Sequence, residues 1–113
     1  MSILSELKEL VEIDLDEEIY DKQLLLYCNM GLRYLHNNAI PVSRIDEDTE
    51  WLEFGELREG DELIVIDWLH LYVVQRFDKA LLTVPARGTM VWIDTEMTNL
   101  LYQLKTLYDQ GET

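Results

Sequence analysis

Asp61-Glu-Leu-Ile-Val-Ile-Asp-Trp-Leu-His-Leu-Tyr-Val-Val-Gln-Arg-Phe-Asp-Lys79 decides the fold. From Leu63 to Phe77, eleven of fifteen residues are apolar or aromatic, and Asp67, His70, Gln75 and Arg76 do not share one side of a helical wheel. A helix apolar nearly all round belongs in the middle of a small protein, with other helices against several of its faces. Leu63-Ile64-Val65-Ile66 is rich in β-branched residues, but nineteen residues is helix length, not strand length. Charge interrupts the run too often for a membrane span. Gly60-Asp61 supplies a breaker and an N-cap ahead of it. On one face fall Leu63, Ile66, His70, Val73, Val74 and Phe77; on the other, Val65, Trp68, Leu69 and Tyr72.

The elements around it read as further helices. Residues 3–12 form a short amphipathic helix capped by Ser2, with Leu4, Leu7 and Val11 inward and Glu6, Lys8, Glu9 and Glu12 outward. Asp14 and Glu17 have capping-box spacing for a second helix over 17–37, stopped by Asn37-Asn38-Ala39-Ile40-Pro41. Its core stripe is Tyr20, Leu24, Tyr27, Gly31, Tyr34 and Leu35, with Gly31 placed to let a neighbouring helix approach. Leu25 and Leu32 fall off that stripe and are candidate subunit contacts. Residues 42–60 form an irregular acidic segment in which Thr49 would cap a short helix burying Trp51, Leu52 and Phe54. Pro85 and Gly88 mark a connection, and a last helix over 89–109 begins at the cap Thr89. Met90, Ile93, Met97, Leu100, Leu104 and Leu107 repeat at three and four, the seam of a helix lying antiparallel to a neighbour. Trp92 lies across from that seam and is a candidate contact with another chain. The expectation is an all-α fold, a small bundle of four main helices (3–12, 17–37, 61–79, 89–109) in one domain, 1–113.

Composition excludes several functions. Net charge is -14, and residues 1–62 hold seventeen acids against five bases. The nine Lys and Arg are scattered along the chain, whereas phosphate binding needs them clustered. The single Cys28 permits no internal disulfide, and the acidic N-terminal stretch is not a signal peptide. Asp46, Asp48 and Glu50 match the alternating ligands of a calcium loop, but Trp51 stands where its glycine is required and Leu57 where its last acid is required. Two His and one Cys offer no zinc spacing, Cys28 and His36 lie two turns apart, and no Gly-rich phosphate loop exists. No cofactor, metal site or enzyme activity is expected. His70 reads as an interior histidine supported by Asp67.

The order of elements carries a likeness. Leu4-Ser5-Glu6-Leu7-Lys8-Glu9-Leu10 is followed by Asp21-Lys22-Gln23-Leu24-Leu25-Leu26-Tyr27-Cys28-Asn29 and by Trp51 in an acidic segment. Leu71-Tyr72-Val73-Val74-Gln75-Arg76-Phe77-Asp78, a proline-bearing loop and a leucine-rich last helix complete it. Over nearly its full length the chain resembles the head–tail connector (adaptor) proteins of tailed bacteriophages, the gp6-like group. The resemblance implies a structural virion protein, made in the host bacterial cytoplasm. It would form a homo-oligomeric ring of about twelve copies between the portal protein and the next neck or stopper protein. DNA would pass through the ring without specific binding, and no membrane is involved. An acidic wall suits that passage, because like charge repels phosphate. Alternatively the acids of 46–62, with Asp46, Asp48 and Glu50 foremost, mimic DNA and occupy a basic groove on a host protein.

Overall fold

The computed structural model describes the backbone of residues 1–76 and 87–108 and the side chains of 1–76 and 93–108. The described residues contain four α-helices and no strand: α1 (Ile3–Leu10), α2 (Asp21–Asn37), α3 (Glu62–Arg76) and α4 (Arg87–Tyr108). A single 3-10 turn, η1 (Trp51–Glu53), interrupts the connection between α2 and α3. The all-α bundle is as the sequence pattern requires.

The central position of α3 follows from its apolar girth. It packs against α1, α2 and α4, and Val65, Ile66, Trp68, Leu69, Tyr72 and Val73 are buried. Leu63 is an exception to the expected face: it lies on the first turn, 64% exposed. The closest approach is at Gly31 on α2. A Cβ there would stand 3.0 Å from Leu69 Cδ2 and 3.1 Å from both Trp68 and Tyr72, so the missing side chain is what admits α3. The α4 seam closes the other side, with Ile93, Leu100 and Leu104 buried. The helices α3 and α4 run antiparallel: Tyr108, at the end of α4, donates its hydroxyl to Asp61 at the start of α3 at 2.6 Å, and Gln75 bonds Asp94 near the opposite end.

Boundaries differ from the sequence expectation for identifiable reasons. Helix α1 ends at Leu10, short of Glu12. Glu12 takes a left-handed φ of 62°, and Ile13 N–H reaches back to the Lys8 carbonyl at 2.9 Å. Ala39 does the same after α2, at φ 70°, with Ile40 N–H on the Leu35 carbonyl at 3.1 Å. Both are Schellman ends built without glycine. The start of α2 is delayed to Asp21 because Lys8 is not on the solvent side. It is 3% exposed, and its ammonium bonds the carbonyls of Leu15 at 3.1 Å and Glu17 at 2.6 Å and the Asp21 carboxylate at 2.8 Å. With the Glu17 carbonyl taken by Lys8, the amide of Asp21 bonds Glu18 instead, and the Asp14 side chain turns to the Asp16 amide rather than capping a helix. Asp61 likewise gives its carboxylate to Tyr108. Thr89 sits inside α4, which begins at Arg87, so it is not the cap. The expected end of the central helix at 77–79 and the Pro85 connection lie outside the described residues.

Candidate interaction surface

The outer face of α2 is the most distinctive surface of the molecule. Residues 40–45 run back along this helix and are pinned to it. Asn29 donates to the Ile45 carbonyl at 3.1 Å and accepts from the Ile45 amide at 2.8 Å. His36 Nδ1 lies 2.9 Å from the Val42 carbonyl, which selects the tautomer protonated at that nitrogen. Ile40, Val42 and Ile45 are thereby buried, and Leu32 beneath them is fully buried. Leu32 is therefore core, not the exposed subunit contact its position off the helical stripe implied. Leu25 is half-buried and packs at the edge of the core.

Beside Leu25 the helix and this strap enclose an open groove of about 540 Å³. Its floor is Leu25, Leu26 and Met30, and its rim carries Lys22, Arg33 and Arg44. Leu26 is 58% and Met30 44% exposed. The bases scattered through the sequence are here brought together, three of the nine Lys and Arg around one apolar floor. None of the three forms an ion pair with a described residue.

The acidic segment is a built turn. The Asp46 carboxylate accepts the Asp48 amide at 2.8 Å and the Thr49 hydroxyl at 3.0 Å, bonds that hold its carboxyl below its ordinary pKa, the Asp48 amide foremost. Thr49 is buried. The residue capping η1 is Glu50, not Thr49, in a reciprocal capping box with Glu53. Trp51 donates its indole N–H to Glu6 at 2.9 Å, which draws Glu6 out of its expected solvent role, and Phe54 is buried. Leu52, expected in the core, is instead 93% exposed at the tip. The turn packs Trp51 against the core and, just past its end, buries Phe54, and it leaves Leu52 pointing outward.

A third feature is a column of planar groups beside α4. Tyr34 stacks on Trp68 at 5.6 Å between centroids and 9° between planes. Trp68 stacks on Tyr72 at 5.1 Å, and the Arg76 guanidinium sits 3.6 Å over the Tyr72 ring. Tyr34, read from the sequence as core, is the half-exposed outer member of this stack.

An apolar groove, an exposed apolar tip and abundant unpaired charge describe a protein that acts by contact. The family model for phage connector proteins matches residues 3–111. The chain belongs to the phage connector family. Membership makes this connector a structural component of the virion neck, associated with portal and tail components, and agrees at the level of the connector family, not of its gp6-like group, with the resemblance read from the sequence. No curated protein and no solved structure matches it.

The connector's few reactive groups fit a structural role. Burial pushes the Cys28 thiol up to about 12, so it is neutral and shielded at physiological pH. His70 is half-buried, and desolvation lowers its pKa against the opposing charge of Asp67, leaving the ring neutral. Among the described residues no group of three His, Cys, Asp or Glu side chains is placed to hold a metal ion, and no helix is long and apolar enough to cross a membrane. The Trp92 side chain lies outside the described residues. Sequence reasoning missed Leu26 and Met30, although their spacing of four beside Lys22 and Arg33 was a usable signal for an outward apolar strip.

Proposed function

We propose that this connector assembles into a ring of about twelve copies that joins the portal to the next neck component and lets DNA pass through its centre. The observation that carries the reading is the family match over residues 3–111. The charge distribution supports it: residues 1–62 bear seventeen acids against five bases, and a wall of that sign repels phosphate and keeps DNA moving. In that ring each copy would contact the next through unlike faces, and the portal and the downstream stopper would take the two open ends.

The DNA-mimic alternative has less support. Asp46, Glu50, Glu53, Asp61 and Glu62 all place a carboxylate oxygen on nearby N–H or O–H groups, so their positions follow the local turns and not a phosphate repeat, while Asp46, Glu50 and Glu53 stay exposed.

The test is the native mass of the purified protein, alone and mixed with a portal assembly. A closed oligomer, free or on the portal, is the expected result. A monomer that ignores the portal at every concentration, yet blocks a DNA-binding protein, overturns the reading.

A further inference from the structure

We infer that Leu52, on its acidic turn, docks into the basic-rimmed groove on α2 of a second copy of this chain. The inference rests on the ring reading and specifies which surfaces would meet in it.

The two surfaces are complementary in shape and charge. Leu52 is 93% exposed, and it is held there. The capping box of Glu50 and Glu53 fixes η1, the Trp51 indole anchors it to Glu6 at 2.9 Å, and the Ile3 amide bonds the Thr49 carbonyl at 2.9 Å. A projection ordered in advance loses little entropy on docking. The groove offers a floor of Leu25, Leu26 and Met30, and methionine adapts readily to an inserted side chain. Its rim of Lys22, Arg33 and Arg44 has no ion-pair partner among the described residues of its own chain. The turn that bears Leu52 is flanked by exposed Asp48, Glu50 and Glu53. On a chain of net charge -14, most pairs of surfaces on two copies repel. Groove against turn is a pairing in which the signs are opposite. The surfaces use different residues, so a copy docked by its Leu52 still presents its own groove, which is the requirement for head-to-tail propagation and closure.

The experiment uses two variants of the full chain, Leu52→Asp and Met30→Asp. Both residues are exposed, and unchanged helical circular dichroism confirms that each variant folds. By native mass and crosslinking, each variant alone is expected to stay monomeric where the unmodified chain assembles. An equimolar mixture is expected to give one-to-one pairs and nothing larger, because one intact groove then meets one intact Leu52. If either variant assembles as the unmodified chain does, the docking is wrong while the ring reading stands. A mixture that stays monomeric overturns the pairing of this turn with this groove. Met30→Asp that still assembles but no longer binds the portal identifies the portal as the occupant and overturns the inference. If the unmodified chain never assembles, alone or on a portal, the ring reading fails and this inference with it.

Discussion

The Lys8 ammonium lies 2.8 Å from the Asp21 carboxylate, with the Lys8 side chain 4% and the Asp21 side chain 20% accessible. This pair joins the end of α1 to the start of α2 and draws in the Leu15 and Glu17 carbonyls. Removing one partner leaves a buried charge uncompensated. Asp21→Asn is expected to cost about 3 kcal/mol, read as a lower urea midpoint at unchanged slope. The double variant Lys8→Met with Asp21→Leu is expected to recover only part of that loss, since the two carbonyls forfeit about 1 kcal/mol each. Full recovery by the double variant would show that the carbonyl bonds contribute nothing.

Gly31→Ala sets helix propensity against packing. The new methyl gains up to about 1 kcal/mol as a helix former. It also meets Leu69, Trp68 and Tyr72 at 3.0 to 3.1 Å, and overpacking of that kind costs about 1–3 kcal/mol. The net expectation is a loss of about 1 kcal/mol in chemical denaturation. In a Leu69→Ala background the same substitution should become neutral or stabilising, a coupling that a double-mutant cycle measures directly.

Ala39→Gly should stabilise the protein. Ala39 holds φ 70° at the end of α2, where an L side chain costs about 1–2 kcal/mol and glycine does not. After glycine's larger entropy loss the gain is about 0.5–1 kcal/mol. Glu12→Gly, at φ 62°, should act in the same direction. A drop in melting temperature for both would place the left-handed cost elsewhere.

His70 makes stability depend on pH with a definite sign. Its folded pKa lies below the ordinary 6.5 because burial disfavours the charged ring. The unfolded chain therefore binds more protons in the window below 6.5, and stability rises with pH there. The contribution is complete above 6.5 and is lost as pH falls towards the folded value. His70→Gln is expected to flatten that part of the stability profile. An identical profile for the variant between pH 5 and 7 would sink the assignment.

Local pattern identifies what depends on local physics. The apolar girth of α3, the three-four seam of α4 and the bare glycine of α2 each reach the fold without outside help. Leu32 could not be placed that way, because its burial depends on residues 40–45 folding back and on Asn29 and His36 holding them. The same holds for Lys8, whose amphipathic position reads as solvent-facing until the 11–20 connection wraps its ammonium. Leu52 is the converse: an apolar residue between two aromatics looks inward on sequence, but the 3-10 turn directs it outward while Trp51 and Phe54 pack on the core. The groove on α2 needed the strap and the helix together, since Lys22, Arg33 and Arg44 share a site only after the chain reverses at Ala39.

Tyr108 has a consequence for the order in which the molecule folds. Its hydroxyl accepts from the Arg58 amide at 3.0 Å and donates to Asp61, and the Arg58 guanidinium lies over its ring at 5.2 Å. The partners are fifty residues apart in sequence, so their closure pays a chain entropy that the turns of α1 and α2 do not. Contacts of that kind form after the folding barrier when nearer ones suffice to cross it. Tyr108→Phe should leave the refolding rate nearly unchanged and speed unfolding, a φ-value near zero. The clasp between the first residues of α3 and the last turn of α4 then acts as a latch on the finished domain, governing how long it stays folded rather than how quickly it gets there.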